Sequence, residues 1–312
     1  NREDAMKMRI ACVDLVSNGL FPVLAAEELG FYKAEGLDTH VEQVRDSTGP
    51  AALRDGSIDA MAGVTHLMLK QFPRWEGAKL VIAIQQGTPF LLVTRVALPA
   101  KRGDIQALRG LRIAADVGPV VAFQRLLTEA GLDPERDVQI VNLPGGDNPN
   151  IPFGVFAASA LEEGQIDGFW ANAMGSEIAV RRGVGKIFLD VRRGDGPPEA
   201  RHFTFPGLVT TDALIARDPE RVAATVRAIV KTQQALRAEP ARATEVGRRR
   251  FTPEAAELIA TLVERDLPFY NPVISEEAVA GLNRFAQSVG LLPGPVPYEQ
   301  VVAVQFRDLW RS

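Results

Sequence analysis

The sequence predicts an α/β protein that is built from two similar lobes. Three short patterns support this fold class, and each of them occurs twice in the same order: Arg-Ile-Ala, Gly-Leu-Asp and Ala-Leu-x-x-Gly-x-Ile-Asp. They stand at residues 9–11, 36–38 and 52–59, and again at residues 112–114, 131–133 and 160–167. A single match of this kind could arise by chance. Three matches in register indicate an internal duplication.

Each pattern has a structural interpretation. Ala-Leu-x-x-Gly is typical of a helix end, because glycine readily takes the left-handed backbone conformation that terminates a helix. The Ile-Asp pair and the apolar run after it predict a short buried strand. Each copy therefore predicts the order strand, helix, strand, helix, strand.

The remaining elements follow from apolar periodicity, caps and turn residues. Predicted strands lie at 8–13, 38–44, 58–64, 79–86, 90–95, 111–115, 138–143, 166–171, 186–191 and 205–211. Predicted helices lie at 21–33, 65–72, 120–130, 153–163 and 174–182, and three more begin at 218, 252 and 275. Pro22 stands in a first helical turn, where a missing N–H has no consequence, and Thr65 is a predicted N-cap.

Strands that alternate with helices favour sheets built from βαβ units. We predict that the strand at 205–211 returns to the first lobe. The helices after residue 212 are predicted to pack around that lobe. We therefore predict a first lobe of residues 7–96 and 206–312 and a second lobe of 97–205. Two chain crossings predict a two-segment hinge, with a ligand cleft between the lobes.

Composition excludes several classes of protein. The 312 residues are 46% hydrophobic and carry a formal net charge of −4, so no concentrated positive face for nucleic acid is indicated. A single cysteine, Cys12, excludes an internal disulfide and a cysteine metal site. No apolar run reaches the ~18 residues of a membrane span. The chain begins at Asn1 without a signal peptide, as a processed or truncated product would.

Several segments resemble a known family. They are Lys-Met-Arg-Ile at 7–10, Ala-Glu-Glu-Leu-Gly-Phe-Tyr-Lys-Ala-Glu-Gly-Leu-Asp at 26–38, the pattern at 52–59, Leu-Arg-Gly-Leu-Arg-Ile at 108–113, and Gly-Leu-Asp-Pro at 131–134 with Asp-Val at 137–138. Together they resemble the NMT1/THI5-like (SsuA/TauA-like) solute-binding proteins of ABC transporters for sulfonates, taurine, nitrate and thiamine precursors. The resemblance covers residues 7–240.

The resemblance implies a type II periplasmic-binding-protein fold with mixed sheets. It also implies a periplasmic, exported and monomeric protein without a cofactor, which closes on a small ligand and is recognised by an ABC permease of the inner membrane. Such a protein needs hydrogen bonds and apolar walls but no nucleophile, so we do not expect an enzyme.

In open α/β sheets, ligands bind beyond the carboxyl ends of strands, near helix N-termini that suit anions. The candidate ligand-binding residues follow those ends: Ser17, Asn18, Phe21, Thr65, His66, Gln86, Gly118, Pro119, Asn148, Trp170, Asn172 and Met174. Gln85 and Asn150 stand beside two of them.

Most of these residues have a second interpretation. Asn18 and Asn172 either bond a ligand or cap a helix or turn, and Thr65 serves as a cap in either case. His66 is a ligand contact or an ordinary hydrogen-bonded helix residue. Trp170 stacks on an organic ligand or fills the core.

Two features argue against other chemistries. Gly118-Pro119 departs from the Gly-Ser or Gly-Thr of the family and loses both a hydroxyl and a backbone N–H, which argues against a tightly held small oxyanion. Asp59 and Asp167 precede their strands at the end opposite the expected cleft, so we interpret them as turn caps and not as catalytic carboxylates.

Three functions remain open from the sequence: a transport binding protein, a THI5-like pyrimidine-precursor synthase with pyridoxal phosphate, and the sensing domain of a regulator. The synthase would need a cysteine-rich motif that this chain lacks. Loops with Asn, Gln and Thr but few charges favour a neutral or singly anionic organic ligand. Sulfonate, taurine-like, pyrimidine and aromatic carboxylate ligands are all compatible.

Overall fold

The computed structural model describes residues 5–143 and 152–311. The chain divides into two compact units. The first unit runs to Gln86 and resumes at Thr204, and the second spans Gly87–Phe203. The chain therefore passes between the units twice. The sequence placed the first passage at 96/97, but the strand Phe90–Arg95 pairs with strands of the second unit and belongs to its sheet.

Ten strands make up the two sheets. They are β1 (Met6–Cys12), β2 (Leu37–Gln43), β3 (Ala60–Val64), β4 (Ala78–Ala83), β5 (Phe90–Arg95), β6 (Arg112–Ala115), β7 (Gln139–Val141), β8 (Gly168–Asn172), β9 (Gly185–Asp190) and β10 (Pro206–Thr211). The first sheet has the order β2-β1-β3-β10-β4 and the second β7-β6-β8-β5-β9. In each sheet the first three strands are parallel and the fourth is antiparallel to both neighbours. The predicted mixed sheets are confirmed.

Twelve α-helices surround these sheets in the described part of the chain. They are α1 (Phe21–Glu28), α2 (Phe31–Ala34), α3 (Gly49–Asp55), α4 (Val120–Glu129), α5 (Phe153–Glu162), α6 (Ala173–Arg181), α7 (Asp212–Arg217), α8 (Pro219–Ala238), α9 (Arg242–Arg250), α10 (Pro253–Asp266), α11 (Glu276–Ser288) and α12 (Tyr298–Val301). Short 3-10 helices follow β3 (Thr65–Lys70), β9 (Val191–Arg193) and α10 (Leu267–Phe269).

Two predicted helices and one predicted cap differ from the structure. The helix predicted at 21–33 is broken into α1 and α2 by Gly30, whose φ of 81° is left-handed. The helix predicted after β3 is a 3-10 helix that begins at Thr65 itself. Thr65 is therefore not the N-cap that the sequence predicted, since Val64 occupies that position.

The two units share an arginine–aspartate pair, in which the aspartate stands directly before β3 in the first unit and β8 in the second. The Asp59 carboxylate accepts hydrogen bonds from the Arg9 backbone (2.8 Å) and the Arg9 guanidinium (2.9 and 3.1 Å). Asp167 accepts equivalent bonds from Arg112, at 2.8 Å from its backbone and 3.2 and 3.3 Å from its side chain. Both aspartates therefore join neighbouring strands, so the prediction that they cap turns is wrong.

The long helix α8 supports the end of β4 in the first unit. Gln233, which is fully buried on α8, donates through its side-chain amide to the carbonyls of Ala83 (3.1 Å) and Ile84 (2.9 Å). These carbonyls belong to the last residue of β4 and to the residue that follows it. The loop that carries Gln85 and Gln86 therefore starts from a fixed point.

Candidate functional site

The functional residues are expected where the parallel strands end, and we call this side of each sheet its carboxyl edge. In the first unit the carboxyl edge consists of the loops after β1, β3 and β4 and the residues that lead into β10. In the second unit it consists of the loops after β6, β8 and β9 and the residues that lead into β5. The fourth strand of each sheet begins at this edge because it runs antiparallel to the others.

In the first unit, Asn18 is the centre of a buried network. Its side-chain amide donates to a carboxylate oxygen of Asp266, at the end of α10. Its backbone carbonyl accepts the Tyr270 hydroxyl (2.5 Å) and the Gln85 amide (3.4 Å). All four residues are buried. Asn18 therefore ties the loop after β1 to the C-terminal helices, a role that its sequence neighbours do not reveal.

A second buried group lies between β3 and β10. The Thr204 hydroxyl lies 3.3 Å from the Thr65 hydroxyl and 3.1 Å from Nδ1 of His66. The His66 ring also meets Phe285 edge-on, with 5.3 Å between the ring centroids. Since His66 and Phe285 are both only 2% exposed, the structure supports the packed, hydrogen-bonded interpretation of His66.

Ser17 and Gln85 come together around Gly19. A Cβ atom at Gly19 would lie 3.4 Å from Oγ of Ser17, 3.5 Å from Oε1 of Gln85 and 3.7 Å from Cγ of Pro206. The Ser17 hydroxyl also accepts the Gly19 N–H at 3.1 Å. The ends of β1 and β4 and the start of β10 therefore meet at one point of the carboxyl edge.

Phe21 and Gln86 are two further candidate residues of the first unit. The Phe21 ring is fully buried and tilts against Phe251, with centroids 6.2 Å apart. The Gln86 amide donates to the carbonyls of Asn271 (2.8 Å) and Val273 (2.7 Å). The Phe21 side chain therefore packs against Phe251, and the Gln86 side chain bonds the segment that follows Tyr270.

In the second unit, Trp170 occupies the core. It is 1% exposed, stacks on Phe123 at 5.5 Å between centroids and tilts against Phe90 at 5.7 Å. Its indole N–H donates to the carbonyl of Pro119 at 3.1 Å. Of the two interpretations that the sequence allowed, the structure supports core packing.

The N-terminus of α4 is closed by its own loop. The Val120 N–H donates to the Asp116 carbonyl at 2.8 Å, and the N–H groups of Ala122 and Phe123 donate to the Pro119 carbonyl at 3.2 and 3.4 Å. Pro119 itself has no N–H to offer. The helix end that the family resemblance suggested for an anion therefore has most of its first-turn donors engaged.

Asp116, two residues before Gly118-Pro119, is a residue that the sequence analysis did not single out. Its carboxylate accepts the backbone N–H of Val117 at 2.8 Å. Burial raises the pKa of Asp116 above its ordinary value, and this backbone hydrogen bond lowers the pKa by a smaller amount. Its position could have identified it as a candidate, since Asp116 is the first residue after the predicted strand at 111–115.

Asn172 caps helix α6. Its side-chain oxygen accepts the N–H groups of Met174 (3.0 Å) and Gly175 (3.4 Å), and its carbonyl accepts the Ser176 hydroxyl (2.9 Å). Asn172 is therefore an N-cap, which was one of its two interpretations. Met174 lies in the first turn of α6 and is fully buried. The candidates Asn148 and Asn150 lie outside the described residues.

The two segments that connect the units are fixed within each unit by backbone hydrogen bonds. In the first unit, the N–H of Ile84 donates to the carbonyl of Pro206 at 2.9 Å. In the second, the Thr88 N–H donates to the Arg201 carbonyl (3.0 Å) and the Thr88 hydroxyl to the Ala200 carbonyl (2.6 Å). The outgoing and returning segments are therefore paired on either side of the passage.

The described residues offer no cluster of three or more His, Cys, Asp or Glu side chains that could hold a metal ion. None of their helices combines the length and apolar character that crossing a bilayer requires. The side chains described at the carboxyl edges carry amide, hydroxyl, carboxylate and aromatic groups.

Comparisons with known proteins agree with this architecture. Residues 18–243 match the family described as NMT1/THI5 like. A curated relative, the putative binding protein YtlA of Bacillus subtilis, is 23% identical over 303 residues, which cover 92% of this chain and 85% of YtlA.

Solved structures share the fold over nearly the whole chain. A putative periplasmic sulfonate-binding protein SsuA from Methylobacillus flagellatus is 23% identical with a TM-score of 0.66, covering 97% of this chain and 93% of that one. The desulfurization enzyme DSZB is 17% identical with a TM-score of 0.67, covering 97% of each chain. The predicted fold class is confirmed, and the chain belongs to the NMT1/THI5-like family.

Proposed function

We propose that this protein is an extracytoplasmic solute-binding protein of an ABC importer, which binds a small organic molecule and delivers it to an inner-membrane permease. The observation that carries the proposal is the repetition of one α/β design with polar loops at both carboxyl edges. It occurs in a chain that shares its fold with a putative periplasmic sulfonate-binding protein over 97% of its length. We also propose that the protein is periplasmic and acts as a monomer.

The candidate residues divide into two proposed roles. Ser17 and Gly118 lie in the loops after β1 and β6, and we assign ligand contact to them. Asn172 supports this edge as the N-cap of α6. A second group is buried behind the loops and holds their shape: Asn18, Phe21, Thr65, His66, Trp170 and Met174. Gln86 and Pro119 join the second group because their polar atoms bond neighbouring backbone.

The ligand class that the sequence favours includes sulfonates, carboxylates and pyrimidine-like molecules. Thermal-shift screening of the purified protein against these classes tests the proposal, because a ligand that binds only the folded protein raises its melting temperature. A rise that saturates with one class supports solute binding. No rise with these classes or with organic amines, at concentrations up to the millimolar range, contradicts it.

The hinge and the closure of two lobes on the ligand remain predictions from the sequence. Small-angle scattering of the protein with and without a saturating ligand tests them. A smaller radius of gyration with ligand supports closure, and an unchanged radius contradicts it.

An enzymatic function is the second candidate, since an enzyme, DSZB, shares the fold and the family name includes THI5. The chain has one cysteine, Cys12, which is buried inside β1, and burial raises the pKa of its thiol. A thiol of this kind is a poor nucleophile, so we favour binding without turnover. Visible absorbance from pyridoxal phosphate bound to the purified protein would support the synthase instead.

A further inference from the structure

We infer that the ligand presents a hydrogen-bond-donating nitrogen, as an ammonium or amidinium group, to the carboxylate of Asp116 in the second unit. This inference rests on the proposed solute-binding function and narrows its ligand class. It departs from the neutral or anionic ligand that the sequence favours, because it takes account of a carboxylate that stands at the carboxyl edge.

The position of Asp116 is that of a ligand-binding residue. It is the first residue after β6, beside β8 in the middle of the sheet, where Ala115 pairs with Trp170. The residue is partly buried and not fully enclosed. The neighbouring Val117 side chain is 59% exposed and offers an apolar contact for the organic part of a ligand.

Several buried or partly buried carboxylates of the described residues are neutralised by cations. Asp59 and Asp167 are bonded to arginines, and Glu35 bonds both Arg227 and Lys231. Asp116 differs, because within the described residues its carboxylate has a backbone N–H as its hydrogen-bond donor and no arginine, lysine or histidine in an ion pair. A positively charged ligand group would give the Asp116 carboxylate the cationic partner that these other carboxylates have.

The surrounding helix ends favour a cation over an oxyanion. The N–H groups of Val120, Ala122 and Phe123 are bonded to carbonyls of the loop before α4, and those of Met174 and Gly175 are capped by Asn172. A sulfonate or carboxylate at this edge would lose the helix-end donors that usually bind anions and would also be repelled by Asp116. An ammonium or amidinium group needs no N–H donors from the protein and is attracted by the Asp116 carboxylate.

A matched screen tests this inference. Benzylamine, benzamidine and butylamine are compared with benzenesulfonate, benzoate and butanesulfonate by thermal shift and by calorimetric titration. The proteins are the wild type, Asp116→Asn, and Asp104→Asn, which neutralises an exposed aspartate of the same unit in the segment before β6. Asp116→Ser is a second test variant, because its hydroxyl still accepts the Val117 N–H.

We expect the nitrogen bases to bind the wild type and Asp104→Asn alike. Removal of the Asp116 charge weakens that binding by about tenfold to a hundredfold, the usual loss for one partner of a partly buried charge pair. Binding of the sulfonates or benzoate in place of the bases overturns the inference while solute binding stands. Binding of the bases that is equal in both Asp116 variants also overturns it. If no probe binds any protein, both the inference and the proposed function are contradicted.

Discussion

The indole N–H of Trp170 donates to the carbonyl of Pro119 at 3.1 Å and so joins strand β8 to the loop after β6. The same carbonyl accepts the N–H groups of Ala122 and Phe123 in the first turn of α4. One backbone oxygen thus fixes the loop, the helix start and the central aromatic side chain of the second unit.

Replacing Trp170 by Phe tests this bond. The smaller ring retains much of the packing on Phe123 and Phe90 but lacks the N–H, so we expect the free energy of unfolding to fall by about 1–2 kcal/mol for the hydrogen bond, with a further loss for the reduced ring volume. Denaturant unfolding measures both. Trp75→Phe is the matched control, because Trp75 is fully buried but its indole N–H has no partner among the described residues. An equal loss in the two variants would show that the Pro119 bond contributes nothing.

The Arg9–Asp59 pair predicts a dependence of stability on pH. Burial raises the pKa of Asp59, but the hydrogen bonds and charge of Arg9 outweigh it and leave the folded pKa below its ordinary value. The stabilisation is therefore complete above the unfolded pKa of about 3.9 and is lost as the pH falls through the lower folded pKa.

Asp59→Asn should reduce the free energy of unfolding at pH 7 by about 1.5–3 kcal/mol, the usual contribution of hydrogen bonds to a charged group. At a pH below the folded pKa of Asp59 the difference from the wild type should shrink. Unfolding curves between pH 2 and pH 7 (roughly the range over which carboxylates titrate) check both statements. A difference that stays constant across this range contradicts the assigned cause.

Helices α5 and α6 approach each other at two glycines. A Cβ atom at Gly175 would lie 2.4 Å from the backbone of Gly154, closer than atoms can pack. Gly175→Ala should therefore lower the unfolding free energy by about 1–3 kcal/mol through overpacking. Gly294→Ala is the control, since no atom lies within 4 Å of the added methyl group and its φ is not left-handed. Equal stability of the two variants would refute the close contact.

Gly87 opens the second unit directly after the first passage of the chain. Its φ of +75° is left-handed, and a Cβ atom would meet the Arg192 side chain at 3.0 Å. Gly87→Ala should therefore lower the melting temperature more than Gly103→Ala, whose φ of +86° carries the same backbone strain in open space. Differential scanning calorimetry measures both. A smaller effect at Gly87 than at Gly103 would contradict crowding by Arg192.

The sequence predicted the elements that depend on local pattern. The duplicated motifs correspond to β1 with β6 and to β3 with β8, and the helix ends fall where the glycines are. The sequence did not place the antiparallel fourth strands. Strand β5 reads like any apolar strand, and its partners β8 and β9 lie more than 70 residues further along the chain.

The sequence predicted where the candidate residues lie along the chain, but not which groups they bond. Strand ends are visible in the sequence, so the positions of Ser17 and Asn172 at such ends could be predicted, while their part in ligand binding stays a prediction. Their partners are distant: Asn18 bonds Asp266, 248 residues away, and His66 bonds Thr204, 138 residues away. Pairings over such separations are set by tertiary packing, which no local pattern encodes.

The interleaved sheet order has a consequence for synthesis on the ribosome. Strand β10 lies between β3 and β4, so these two strands emerge early and have no direct mutual pairing. They must wait for a partner that is made over a hundred residues later. All strands of the other sheet emerge in that interval. The inserted segment can therefore fold during translation, while the earlier half of the nascent chain exposes unpaired edges that chaperones could bind.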